Sequence, residues 1–136
     1  MKEKCNWSYI ELAVIAAVFS IASMSVVPKF TQASQETRIC ELVDGLHQMR
    51  SQLDLYRAQH DNCLPPVDSY ESFENHMTTK VGEYGPYIEK IPVNPFNNLN
   101  TIRFDGKSAG RNKAGWRINT VTGSFKADDS VAHAAL

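Results

Sequence analysis

The stretch WSYIELAVIAAVFSIASMSVVPKF, residues 7–30, decides the fold of this chain, because it is apolar throughout and yet contains one acid. Sixteen residues without a charge follow Glu11, and the apolar run stops at Pro28. An ionised side chain in a hydrocarbon environment costs several kcal/mol unless a group of opposite charge is desolvated with it. Glu11 therefore requires a positively charged partner.

Three interpretations of this apolar segment compete. Residues 7–27 would span about 32 Å as an α-helix, close to the roughly 30 Å of a bilayer's hydrocarbon core. A plain membrane anchor fits this length but leaves Glu11 unexplained. A cleaved secretory signal requires small residues at its cleavage site, and the residues available, 23–25, form a poor one.

An assembly helix explains the acid. If the chain were cut just before Trp7, the new α-amino group would lie four residues from Glu11. The amine of one subunit could then pair with the carboxylate of its neighbour in a stack of helices. Such a pair would set the axial register of the assembly, as a single buried polar residue does in a coiled coil.

The same segment resembles the N-terminus of type IV pilins and type II secretion pseudopilins, with their prepilin N-terminal methylation motif. That motif is a short basic leader ending in Gly, then Phe-Thr-Leu-Ile-Glu and an apolar run with a late Pro. Ile10 and Glu11 match it, and so does the spacing from Glu11 to Pro28. Asn6 stands in place of the Gly and Trp7 in place of the Phe, so the implied processing site departs from the motif, and cleavage stays open.

A second helical pattern follows the apolar segment. Apolar residues at spacings of three and four predict a seam along one helix face that packs against the chain's own C-terminal part. The seam residues are Ile39, Leu42, Leu46, Met49, Leu53 and Tyr56. Gly45 costs about 1 kcal/mol relative to Ala within a helix, so packing has to hold this region together. Pro28 is expected to kink or loosen the helix.

The C-terminal part predicts a small sheet. Prolines make residues 85–97 an extended loop, and short strand patterns cover residues 101–105, 114–120 and 124–127, the last two joined by a turn at TVTG, 120–123. Residues 85–96 and 115–125 also resemble segments of pseudopilin heads. The predicted fold class is α+β and pilin-like: a long N-terminal helix, with a membrane half and an amphipathic half, and a small antiparallel β-sheet packed on it.

The predicted organisation has four parts. A leader covers residues 1–6, a transmembrane or assembly helix 7–28, an amphipathic helix 29–60, and a loop-rich head with the sheet 61–136. Cys40 is expected to be a small buried residue of the helix. A disulfide to Cys63 is not expected, because about 30 Å of helix would separate the two cysteines.

The sequence contains no motif for catalysis or cofactor binding, so the prediction is that the protein is not an enzyme. The resemblance to pseudopilins suggests a calcium site, for which Asp105, Asp128 and Asp129 are weak candidate ligands. The simpler interpretation is that these residues belong to a polar surface. Residues 103–117 are basic and include Phe104 and Trp116, but the net charge of −1 argues against binding to nucleic acid. Acids in residues 61–89 could pair with these bases within one subunit or between subunits, or both stretches could be solvated surface.

The resemblance implies a structural subunit of a type II secretion pseudopilus or of a type IV pilus-like filament, which would serve protein transport or a related task. Such a subunit is held in the bacterial inner membrane as a single-pass protein with a periplasmic head. Its partners would be related pilin or pseudopilin subunits, the membrane, prepilin peptidase and an assembly platform. The alternatives are a non-polymerising single-pass anchor that presents a ligand-binding head, and a secreted binding domain.

Overall fold

The computed structural model describes the backbone of residues 9–136 and the side chains of residues 9–18 and 34–136. Helix α1 runs Tyr9–Gln59 and helix α2 runs Tyr70–Thr78. The strands are β1 Ile102–Arg103, β2 Trp116–Ile118 and β3 Phe125–Ala127, and a 3₁₀ turn follows at His133–Ala135. The chain divides into two compact units between Thr37 and Arg38. The second unit, Arg38–Leu136, is called the head below.

The sheet of the head is mixed, which contradicts the predicted antiparallel sheet. The strand order is β1-β2-β3, with β1 parallel to β2 and β2 antiparallel to β3. The reason lies in the connection between β1 and β2. Residues 104–115 form a crossover that returns the chain to the starting end of β1, whereas β2 and β3 are joined by a short turn. Parallel neighbours need a crossover of about a dozen residues, and antiparallel ones need only a tight turn.

The prediction that the first half of the long helix crosses a membrane is also wrong. Among the described residues, no helix is both long and apolar enough to cross a membrane. This finding contradicts the predicted single-pass location in the bacterial inner membrane. The described part of α1 beyond residue 33 carries charged side chains along most of its length, at Glu36, Arg38, Glu41, Asp44, Arg50, Asp54 and Arg57.

The amphipathic seam of α1 forms one side of the core of the head. Five of its six residues are buried, and Ile39 is half-buried. They pack in one cluster with the inward side chains of the sheet, among them Trp116, Ile118 and Phe125. Cys40 was expected to be buried but is exposed, because it lies one residue beyond Ile39 and so off the seam. Cys40 and Cys63 are both free thiols.

Gly45 is where the sheet comes closest to α1. A Cβ atom at this position would lie 3.3 Å from Cη2 of Trp116 and 3.5 Å from Cβ of Pro92. The indole therefore lies directly on the helix backbone, and its Nε1 donates a hydrogen bond to the carbonyl oxygen of Pro92 at 2.7 Å. This contact accounts for a glycine in the middle of a helix, where it is otherwise unfavourable.

Helix α2 was not predicted, although its signals are local. Ser69 is its N-cap, with Oγ accepting a hydrogen bond from the backbone N–H of Ser72 at 3.1 Å. Phe73 and Met77, four residues apart, are both fully buried in the core of the head. A capping serine followed by two apolar residues at helical spacing would have indicated this short helix.

The seam predicts a contrast between two leucines of α1. Leu46 is 1% exposed and Leu55 is 45% exposed. Because Leu46→Ala leaves a cavity against the sheet, we expect it to lower the free energy of unfolding by about 2–5 kcal/mol. Leu55→Ala is the matched control and should change it by less than about 1 kcal/mol. Urea denaturation followed by circular dichroism measures both, and equal losses would contradict this packing.

Candidate functional site

The structure places Glu11 in the first turn of α1, within an exposed apolar segment. This segment, residues 9–18, has solvent-exposed side chains throughout. Its large apolar members are Tyr9, Ile10, Leu12, Val14, Ile15 and Val18. The predicted processing residues Asn6 and Trp7 lie outside the described residues, and so does the side chain of Pro28. The backbone at residue 28 is helical.

In the head, the most constrained polar group is the carboxylate of Asp128. It is fully buried and accepts hydrogen bonds from six N–H groups, which together form the Asp128 cradle. Two come from Arg103, with Nη2 at 2.6 Å from Oδ1 and Nε at 3.1 Å from Oδ2. The other four come from backbone N–H groups of the crossover, at Gly110, Arg111, Lys113 and Ala114.

The cradle keeps Asp128 ionised. Burial by itself raises the pKa of this carboxyl group, but the hydrogen bonds from Arg103 and from the backbone of Arg111 and Lys113 outweigh it. The pKa of Asp128 is therefore lower than its ordinary value. Gly110 allows the approach of the crossover, because it has a φ of +85° and a Cβ there would lie 2.7 Å from the backbone of Val131.

The three weak calcium candidates are all bound by protein donors. Asp128 is enclosed by its cradle, and Asp105 forms an ion pair with Arg103, with Oδ1 2.6 Å from Nη1. Asp129 accepts from Nδ2 of Asn94 at 2.8 Å and pairs with His133. Within the described residues, no three acidic, histidine or cysteine side chains are placed to hold a metal ion together.

The aromatic residues of the basic stretch are used by the core. Trp116 is fully buried, and Phe104 is half-buried with its ring centroid 5.7 Å from that of Phe73. Arg103 is bound to Asp128 and Asp105. These three side chains of residues 103–117 are therefore engaged in contacts within the head. Stacking on the bases of a nucleic acid and pairing with its phosphates would require them to be exposed.

A row of three cations crosses the outer face of the sheet. Arg117 is the cross-strand neighbour of Arg103 on one side and of Lys126 on the other. Because side chains alternate along a strand, all three point away from the core that Trp116, Ile118 and Phe125 enter. A cavity of about 380 Å³ lies beside Arg117 and Lys126. A second cavity, of about 290 Å³, lies between α1 and the β2–β3 turn and is lined by Arg50, Asp54 and Arg57.

The sequence reasoning missed the Asp128 cradle and the row of cations. The row had a visible signal, since Trp-Arg-Ile at 116–118 and Phe-Lys-Ala at 125–127 alternate apolar and cationic residues. That alternation places Arg117 and Lys126 on one face of the sheet. The cradle had no such signal, because its donors, all within residues 103–114, meet Asp128 only in the folded head.

Comparisons of the chain with protein-family models, with curated proteins and with solved structures found no match.

The cradle predicts how stability depends on pH. Since the pKa of Asp128 is lower in the folded than in the unfolded chain, its ionisation stabilises the fold above about pH 4. This contribution is lost as the pH falls through the folded-state value. Asp128→Asn leaves Arg103 buried without its main partner, so we expect a loss of about 3–5 kcal/mol at pH 7. Urea denaturation between pH 2 and 7 measures both effects.

Asp105→Asn is the matched control. Asp105 contacts the same arginine, but its side chain is 39% exposed to solvent. Its replacement should cost far less than that of Asp128, because water screens an exposed ion pair. If the two substitutions have equal effects at pH 7, or if the Asp128 variant keeps the full acid dependence, then the buried cradle does not organise the head.

Proposed function

We propose that this chain is a structural subunit of a pilin-like filament, of the kind found in type II secretion pseudopili or type IV pili. Copies of the chain, or related subunits, would pack through the N-terminal part of α1, and the heads would form the outer surface. The proposal includes recognition by prepilin peptidase at Asn6 and Trp7 and by an assembly platform. Its role would be mechanical.

The observation that carries the proposal is the exposed apolar segment at the start of α1. Tyr9, Ile10 and Val18 are each more than 60% exposed, on a helix whose later turns bury their apolar residues in the head. An exposed apolar surface of this kind marks a site of association. Packing against the same segment of other copies would remove it from water.

Glu11 supports association in a defined register. Glu11 lies in the first turn of α1, within the exposed apolar segment. An ionised acid within an apolar contact is tolerated only at the axial shift that gives it a cationic partner. An α-amino group released by cleavage before Trp7 would be such a partner on the next subunit.

The head fits a structural role, because two of its buried polar side chains, Asn94 and Asp128, hold its own loops. Nδ2 of Asn94 donates to the carbonyl oxygen of Gly115 at 2.9 Å and to Asp129, while Oδ1 accepts from the backbone N–H of Phe96. Asp128 is likewise satisfied by backbone and Arg103. These polar side chains fix the shape of a surface without presenting reactive groups to a substrate.

A second candidate is a protein that does not polymerise and whose head binds a small ligand. The observation that favours it is the cavity beside Arg117 and Lys126. The two functions differ in what the N-terminal segment contacts, since only the filament brings the apolar segments of several copies together.

Photo-cross-linking tests the filament directly. A photoreactive amino acid at Val14, which is 56% exposed, is introduced into the full chain in the cells that naturally produce it. We expect a ladder of cross-linked copies or related subunits. In the Glu11→Ala background the ladder should fall at least about tenfold, because removing one partner of a buried ion pair costs well over the 1.4 kcal/mol of a tenfold change.

Glu36→Ala is the matched control, since it removes the same charge from an exposed position of the same helix. It should leave the ladder unchanged. Circular dichroism of each purified variant verifies that the head has folded. A ladder that persists in Glu11→Ala would contradict the register role, and the absence of any ladder in the parent chain would contradict the filament.

A further inference from the structure

Arg117 is the central residue of the middle strand and is 93% buried, with 7% of its surface exposed. Its neighbours Trp116 and Ile118 face the core of the head, so Arg117 projects from the opposite face of the sheet. A permanent charge at this depth is costly unless an anion and a set of hydrogen bonds compensate it. The identity of that anion is therefore a question about function.

The described residues do not supply the anion. Nε of Arg117 is buried and has no hydrogen-bond partner among them, and none of their carboxylates forms an ion pair with Arg117 or Lys126. Nζ of Lys126 donates to the carbonyl oxygen of Ala134 at 3.0 Å. Arg103, the third cation of the row, is neutralised by Asp128 and Asp105.

The arrangement is unfavourable as it stands in the chain alone. Arg117 and Lys126 are direct cross-strand partners in the antiparallel pair, and like charges in that position repel each other. One anion placed between them would reduce this repulsion. The cavity of about 380 Å³ gives it room, and its other walls come from Ser108, Ala109, Val131 and Ala134. None of the residues that line it is acidic.

We propose that this cavity, the Arg117 pocket, binds a carboxylate group carried on a short aliphatic stem. A guanidinium presents two parallel N–H groups that match the two oxygens of a carboxylate. Lys126 adds a second positive charge on the same side. The methyl groups of Ala109, Val131 and Ala134 can pack against the stem.

The carboxylate can come from two sources. One is a free small carboxylic acid. The other is an acidic side chain on a second copy of the chain, for which the stretch of residues 61–89 offers exposed acids at Asp61, Asp68, Glu71, Glu83 and Glu89. The pocket is a property of the head and does not depend on the filament.

Nuclear magnetic resonance of the arginine Nε–Hε groups tests the pocket. The full chain is labelled with ¹⁵N-arginine, and the Arg117 signal is identified by its loss in Arg117→Lys. The probe is propionate, with propionamide as its neutral isostere, and chloride keeps the ionic strength constant. We expect propionate to shift the Arg117 signal saturably and propionamide to leave it in place.

Two variants separate the pocket from general attraction to positive charge. Ala109→Leu narrows the cavity without removing either charge and should weaken propionate binding at least about tenfold. Arg111→Gln removes an exposed cation nearby and should leave propionate binding unchanged. A dilution series without propionate identifies the source. A signal that moves with protein concentration indicates a second copy, and an unchanged signal indicates a free acid.

The outcomes are distinct. Saturable binding of propionate with either result of the dilution supports a carboxylate site. Inorganic phosphate binding more tightly than propionate would overturn the assignment to a carboxylate. An Arg117 signal unmoved by propionate and by protein concentration would overturn the pocket itself. Loss of the cross-links at Val14 would leave all of these results standing, so the pocket and the filament fail separately.

Discussion

The head depends on one buried carboxylate. Asp128 follows β3 directly, and its oxygens bind four backbone N–H groups of the crossover and the guanidinium of Arg103 on β1. One side chain thus connects the first strand, the last strand and the segment that joins β1 to β2. Without it four backbone N–H groups of the crossover would lose their hydrogen-bond partner, and buried N–H groups left unpaired are costly.

Local structure was predictable from the sequence where the spacing of apolar residues alone determines it. The seam of α1 was found because its spacing specifies one face. Gly45 was noted for its cost within a helix, and the close contact with Trp116 that explains it came only from the structure. The parallel strand was missed because strand direction depends on the path of residues 104–115, which non-local bonds to Asp128 determine. Cys40 was expected to be buried and is exposed. It lies one residue beyond Ile39 of the seam, and one residue along a helix places the side chain on a different face. A membrane-spanning half of α1 was expected from the length of the apolar segment. No helix among the described residues is both long and apolar enough to cross a membrane.

The proposed filament and the proposed Arg117 pocket each involve a charged side chain, an acid in the first and a base in the second. At the start of α1, an acid lies among exposed apolar residues that the proposed assembly would cover. On the sheet, a buried arginine lies beside a lysine, and a carboxylate would reduce their mutual repulsion. In each place the physical argument is the same: an ionised group in a setting of low polarity needs a group of opposite charge. The difference is depth, because Arg117 is buried in the middle strand whereas Glu11 is exposed.

The most direct test of the account is native-state amide hydrogen exchange of the full chain at neutral pH. The amides of Gly110, Lys113 and Ala114 lie in a loop with no regular secondary structure, and each donates its hydrogen bond to the carboxylate of Asp128. We expect these amides to exchange as slowly as the amide of Trp116 in β2, because the crossover opens only when the head unfolds. Exchange at the rate of an exposed loop, while Trp116 stays protected, would show that the sheet does not depend on Asp128 and would contradict the account.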